Sequence, residues 1–239
     1  MENIITVKNA YVNFLVPQGI FSAKDFFTSF KKPYTHVTIL ENINLEVNEG
    51  DSLAVFGKNG AGKSTLLRLL SGILKPDKGS VVCNGKIAPV MAIGAGLELE
   101  MSGFENIDLI MGLMGIKRAK EIKDRVIEFS ELELNVLDQP LKTYSTGMVA
   151  RLSFAISFVS DADIYVIDEV MAVGDLGFQK KCTHHIHSLI DKNKTIIFVS
   201  HNPQEMKSIC EKGILLSEGK IIGTGNINEI ATLYENLFA

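Results

Sequence analysis

The sequence predicts an α/β fold: a core of parallel strands, a helical segment inserted into it, and antiparallel β elements near both ends. Three observations predict it. The stretch "DSLAVFGKNGAGKSTLLRLLSGIL" runs from an apolar strand through a glycine-rich loop into an apolar helix. "DIYVIDE" and "KTIIFVSH" are short apolar runs flanked by polar residues and separated by a helical stretch, the pattern of parallel strands buried on both faces. From about Ile87 to Ser160 the apolar spacing is mostly helical.

Taken in order, "NIITVKNAYVNFLV" is rich in β-branched and aromatic residues, and "TILENINLEV" alternates as a half-buried strand does. Between them "PQGIFSAKDFFTSFKKPY" reads as an insertion, in which Ser22 and Asp25 could cap a short helix carrying Phe26, Phe27 and Phe30. Packing and docking are both open to those phenylalanines. After the glycine-rich loop and its helix, "GFENIDLIMGLMG" and "RAKEIKDRVIEFSEL" carry helical periodicity. The boundaries this implies are a core of about 1–86 and 161–239 and a helical subdomain of about 87–160, in one domain spanning 1–239. "GILLSEGKIIGTG" reads as a closing hairpin turning at Glu218 and Gly219.

At 239 residues and 46% hydrophobic content, the chain can bury a substantial core. A formal charge of −4 and a pI near 5.8 supply no general attraction to nucleic acid or anionic lipid, so nucleic acid is not an expected partner. Cys83, Cys182 and Cys210 are odd in number, far apart and without paired ligand spacing, which suits reduced thiols. "MENIITVKNA" has no basic region leading into an apolar stretch, and no apolar run reaches about 18 residues, so neither secretion nor membrane spanning is expected.

Gly57, Lys58, Asn59, Gly60, Ala61, Gly62, Lys63 and Ser64 fit G-x-x-x-x-G-K-[ST] completely, and Thr65 follows. Glycines at this spacing let consecutive backbone N–H groups turn onto phosphates at the start of a helix whose dipole favours anions. Lys63 is placed to reach the β- and γ-phosphates of a nucleotide, and Ser64 to ligate Mg²⁺. At the end of "IYVID", Asp168 suits the Mg²⁺ shell, and Glu169 suits polarisation of an attacking water. His201 follows "TIIFVS" directly, where a strand end would set it beside the γ-phosphate. "CTHHIHSL" holds the metal-capable Cys182, His185 and His187, but on a helix only the first two share a face, so a metal is not expected there. Ser145 and Thr146, ahead of the helix-patterned "GMVARLSFAISF", read first as a helix cap.

At this point the chain resembles the ATP-binding subunit of ABC transporters over nearly its whole length. "GKNGAGKST", "YSTGM", "IYVIDE", "MAVGD" and "FVSH" stand in the family's order. The resemblance implies a P-loop NTPase (RecA-like) core with an inserted helical subdomain, the ABC ATPase fold, binding ATP and Mg²⁺. It also implies that Ser145, Thr146 and Gly147 form the signature motif, with Ser145 and Gly147 touching the γ-phosphate of ATP held by a second copy. Two such chains would then pair head to tail as a homodimer, with Asp175 in the loop that communicates across the interface and His201 as the switch histidine. Ile93 stands where the family usually has a glutamine; Glu98 or Glu100 could substitute. Counting from the first strand makes Phe14 the aromatic that stacks on adenine, with Tyr11 and Tyr34 as rivals.

The "YSTGM" form of the signature, "DEVMAVGDLGFQKKC" and "IGAGLELEMSGFENI" resemble cassettes that export surface polysaccharides. O-antigen export is the first expectation, ahead of capsule and teichoic acid. Only a short tail follows "EGKIIGTG", so the polymer, carried on a lipid, is expected to contact integral membrane permease subunits rather than this chain, which would sit peripherally on the cytoplasmic face of the inner membrane. A soluble ABC ATPase acting on ribosomes or DNA is the alternative from another class. It would usually show a second cassette, a coiled coil or a basic surface, and none is evident here.

Overall fold

The structure, a computed structural model, describes all residues except 1, 18–33, 91–95, 114, 116–118, 160, 169–174, 201 and 239. Strands β1 (Asn3–Pro17), β2 (Tyr34–Asn48) and β4 (Lys78–Cys83) form an antiparallel sheet in the order β2-β1-β4. A six-stranded sheet has the order β5-β6-β7-β3-β8-β9, from β3 (Ser52–Phe56), β5 (Ile87–Val90), β6 (Ile164–Ile167), β7 (Thr195–Phe198), β8 (Lys212–Ser217) and β9 (Lys220–Asn226). All its pairings are parallel except β8 with β9.

Every residue of β3, β6 and β7 is buried, as their unbroken apolar runs require. The strand period of two sends alternate residues to opposite faces. Leu53 and Val55 pack toward helix α1 (Lys63–Leu70) and the antiparallel sheet, with Leu66, Leu67, Ile5 and Leu40. Ala54 and Phe56 pack the other way, with Phe154, Phe178 and Ile230. These last residues belong to α5 (Thr146–Val159), α6 (Leu176–Asp191) and α8 (Ile227–Phe238).

A third cluster, including Ile107, Met111, Val126, Leu152 and Ala155, joins α2 (Gly103–Leu113), α3 (Ala119–Ser130) and α5. The short α4 (Leu134–Leu137) and α7 (Pro203–Ile209) complete the helices named here. Ser102 and Glu105 form a reciprocal cap on α2: the Ser102 N–H donates to Glu105 Oε2 at 2.7 Å, and the Glu105 N–H to Ser102 Oγ at 3.2 Å. The fully buried Asn106 ties down the preceding turn, donating to the Glu98 and Ser102 carbonyls at 2.9 Å and accepting from the Glu98 N–H at 2.6 Å.

The helical segment starts later than its sequence pattern suggests. Ile87–Val90, placed by the sequence at the start of the helical subdomain, is strand β5, paired in parallel with β6 at the edge of the core sheet. Pro89 lacks an N–H for a ladder on both sides, and an edge strand is where a proline can sit. The β1–β2 ladder continues outward to Pro17 opposite Tyr34, so both ends of the stretch read as an insertion belong to this hairpin. Ser22, Asp25, Phe26, Phe27 and Phe30 lie outside the described residues.

The closing hairpin is as expected: Ser217 pairs with Lys220, and Glu218 and Gly219 turn with φ of 48° and 75°, the signs of a two-residue hairpin turn. This turn also touches its surroundings. The Gly219 N–H donates to the Ala61 carbonyl at 3.1 Å, and its carbonyl accepts from the Glu41 N–H at 2.9 Å.

Candidate nucleotide site

The loop from Gly57 to Gly62 leaves the end of β3 and enters α1. Gly62, at φ 104°, makes the turn into the helix, and a Cβ there would sit 3.0 Å from Leu40 Cδ2 and 3.2 Å from the Ile39 carbonyl. No side chain caps α1 and no acidic residue stands in its first turn, so the helix presents its positive end to an incoming anion. Lys63 Nζ donates to the carbonyls of Gly57 at 2.6 Å and Lys58 at 3.1 Å, which hold the ammonium at the loop. Burial lowers the Lys63 pKa, while the Asp168 charge acts to raise it.

Loop, lysine and carboxylate meet in one cavity of about 440 Å³, lined by Phe14 from β1, by Lys63, Ser64 and Thr65 from α1, by Asp168 after β6, and by loop residues that include Lys58, Asn59 and Gly60. The Ser64 hydroxyl and Asp168 carboxylate are hard oxygen donors on opposite elements facing the same space, a set that fits Mg²⁺ beside phosphate oxygens. A larger cleft of about 830 Å³ is lined by residues of mixed charge, Lys8, Glu46, Glu211 and Lys212 among them, and by none of the residues from Gly57 to Thr65, so size does not select the site.

Glu169 and His201 lie outside the described residues, as does Ile93. The strands leading to the first two adjoin: Ile167 pairs with Phe198, and the Val199 N–H donates to the Ile167 carbonyl at 2.9 Å. Glu98 and Glu100 are exposed, and Glu100 is paired with Lys142 at 2.6 Å.

Ser145, Thr146 and Gly147 do not line the 440 Å³ cavity. They stand at the start of α5, where Ser145 Oγ accepts from the Met148 N–H at 3.3 Å and the Ser145 carbonyl from the Val149 N–H at 3.0 Å. Ser145 and Thr146 are exposed, and a Cβ on Gly147 would meet nothing closer than Ser145 Oγ at 3.9 Å. The expected site residues that are described therefore include some that line the cavity and others, at the start of α5, that do not.

Asp175 caps α6, its Oδ1 accepting from the Phe178 N–H at 3.0 Å, and its other oxygen pairs with Arg151 of α5. The Phe178 amide, followed by the Arg151 guanidinium, holds the Asp175 carboxyl below its usual range. Arg151 also pairs with Glu131 at 2.8 Å and lies 4.7 Å from the centre of the Phe178 ring; Lys181 joins Glu131 at 2.8 Å. No local sequence pattern signals this link between α5 and α6; its one hint is the lone arginine interrupting the apolar run of "MVARLSFAISF".

Among the described residues no three metal-capable side chains converge. Cys182 is buried with its pKa pushed up to about 12, and the His185 ring packs 5.1 Å from Phe129 and Phe158. All three cysteines are free.

Of the three aromatic candidates, Phe14 lines the nucleotide cavity. Tyr11 lies 5.9 Å from Lys78 Nζ, and Tyr34 is 52% exposed at the far end of the hairpin. Phe14→Ala is expected to weaken ATP binding by about 1 kcal/mol, and Phe14→Tyr to restore it. Equilibrium binding of ATP to Phe14, Tyr11 and Tyr34 variants checks this; an effect confined to a tyrosine would reassign the stacking residue.

The ABC transporter family model matches residues 40–172. The O-antigen export system ATP-binding protein RfbB of Klebsiella pneumoniae is 41% identical over 203 residues, covering 84% of this chain and 82% of that protein. The teichoic acids export ATP-binding protein TagH of Bacillus anthracis is 42% identical over 214 residues, covering 89% of this chain but 38% of its own length. Among solved structures, the post-hydrolysis dimer of the ATP-binding cassette MJ0796 bound to ADP and Pi gives a TM-score of 0.76 at 20% identity, over 93% of this chain and 98% of that one. An ATP-binding subunit of an ABC transporter gives 0.77 at 21% identity, over 99% and 95%. Phosphate loop, uncapped helix start and facing carboxylate thus sit in the fold that these cassettes share, and the chain belongs to the ABC transporter family as an ATP-hydrolysing subunit.

Proposed function

We propose that this chain drives export of a lipid-linked surface polysaccharide, the O-antigen of lipopolysaccharide first, as one of two identical cassettes joined to integral permease subunits at the cytoplasmic face of the membrane. The observation that carries the cargo is the 41% identity, across 82% of its length, to a protein named for O-antigen export. Teichoic acid is the second reading, favoured by the 42% identity to TagH. Among the described residues no helix is long and apolar enough to cross a membrane, so a separate permease supplies the path in this reading.

In this reading the chain works as one nucleotide-binding unit, with the two sheets as core and residues 103–159 as the helical subdomain. Gly57 to Thr65 receive the phosphates of ATP, with Lys63 neutralising the β- and γ-phosphates. Ser64 and Asp168 would hold Mg²⁺, which would supply positive charge to shield the phosphates while the bond to the leaving ADP breaks. Glu169 takes a proton from water as its oxygen attacks the γ-phosphorus, and His201 orients that phosphate. Ser145, Thr146 and Gly147, which do not line their own chain's cavity, close over ATP on the second copy. Asp175, held by Arg151, meets that copy beside them.

Two measurements test this at different levels. Ser145→Arg is expected to leave ATP binding by one chain within about twofold of wild type while placing a long cation where a second copy must approach; light scattering with ATP should then show no dimer. A normal ATP-dependent dimer would sink the shared site. Depleting the chain from its host is expected to leave finished polymer inside the cell, and the chemistry of that polymer decides the cargo. A polyol phosphate polymer would move the assignment to teichoic acid, and unaltered surface polymers would discard polysaccharide export while keeping the ATPase.

A further inference from the structure

Helix α8 carries an aromatic ridge that reaches the phosphate loop from behind. Phe56 is the last residue of β3, and Lys58 is two residues on, so they flank Gly57. The Tyr234 ring lies 5.7 Å from Phe56 and 5.6 Å from Phe238, and Lys58 Nζ lies 4.6 Å from the centre of the Phe238 ring. The ridge has its own support: Ile227, Ile230 and Ala231 of α8 are buried in the core, and Glu235 pairs with Lys207 of α7 at 3.3 Å. The two residues gripped through their neighbours or directly, Gly57 and Lys58, are those whose carbonyls receive Lys63 Nζ.

We propose that Tyr234 and Phe238 are positioning residues for nucleotide binding, holding Phe56 and Lys58 so that the loop between them presents its amides and Lys63 in register with the phosphates. A glycine-rich loop has many conformations to lose on binding, and clamping both sides of Gly57 removes part of that loss beforehand. Attraction of an ammonium to the negative face of a ring supplies the clamp at Lys58, and edge and face contacts of aromatic rings supply it at Phe56. Neither Tyr234 nor Phe238 lines the cavity, so they act through the loop alone. The proposal rests on the reading of Gly57 to Thr65 as the phosphate site of ATP.

The experiment measures ATP affinity, KM and kcat for Phe238→Leu, Phe238→Tyr, Lys58→Met and the double variant Lys58→Met with Phe238→Leu. Phe238→Leu keeps apolar bulk but removes the ring face, and is expected to weaken ATP binding about two- to fivefold with kcat near wild type. Phe238→Tyr is expected to restore affinity, and in the Lys58→Met background Phe238→Leu should have no further effect. Unchanged or tighter binding by Phe238→Leu would overturn the proposal. So would an equal loss in the Lys58→Met background, or a loss as large in Phe238→Tyr, since each points to general destabilisation of α8. Normal ATP binding by Lys63→Ala, measured alongside, would instead fail the reading of the loop itself.

Discussion

Lys63→Ala is expected to abolish ATP hydrolysis and to weaken ATP binding by about 10- to 100-fold, the range for losing a charge-assisted hydrogen bond to a phosphate. The lysine is half-buried at a cavity it shares with Asp168, and loop carbonyls 2.6 and 3.1 Å away hold its ammonium in place. Truncation removes the charge and the ligand of those carbonyls together. The main anion-binding feature left is the open start of α1, whose dipole is worth far less than a full charge. Turnover by the purified variant, with ATP affinity measured separately, checks the expectation. Turnover near wild type would remove Lys63 from the site.

Glu169→Gln should separate binding from chemistry. Glutamine has nearly the shape of glutamate but cannot take a proton from water, so hydrolysis should slow by two or more orders of magnitude, on the scale of about 10²–10⁴ for general-base catalysis. Lys63, Ser64 and Asp168 are untouched, so ATP still binds. If ATP holds two copies together and hydrolysis parts them, the variant should elute as a dimer with ATP and Mg²⁺ where the wild type does not. In cells, export should stop after polymer synthesis. Normal ATPase activity would take the base role from Glu169; lost activity with normal surface polysaccharide would keep the role and discard the cargo.

The phosphate loop was legible because its chemistry lies in nine consecutive residues between a strand and a helix, so spacing alone carries it. Strands β6 and β7 were legible for a similar reason: burial on both faces leaves an unbroken apolar run. The Glu218–Gly219 turn was legible from Gly219, which takes positive φ without strain, between two apolar runs. Strand β5 was not legible, because four residues containing Pro89 resemble a loop or helix start until a neighbouring strand is known, and being on the edge is a property of the sheet. Asp175 was placed in its loop by motif, but its pairing with Arg151 joins residues 24 apart, and no local pattern encodes it. Likewise Phe238 lies far along the chain from Lys58. Its role in sequence is that of an apolar position on an amphipathic helix; only the packing of α8 against β3 gives its ring a second neighbour.

The β8–β9 turn has a bearing on heritable variation. Gly219 sits outside the nucleotide cavity, yet its N–H holds the Ala61 carbonyl from behind, and any side chain there would bring a Cβ to 2.3 Å from the Ile39 carbonyl. Selection on ATP hydrolysis would thus act on this turn as well as on the loop glycines. Variants that lose ATP hydrolysis should include changes at 219, and scoring variants by distance from the nucleotide would pass over them as harmless.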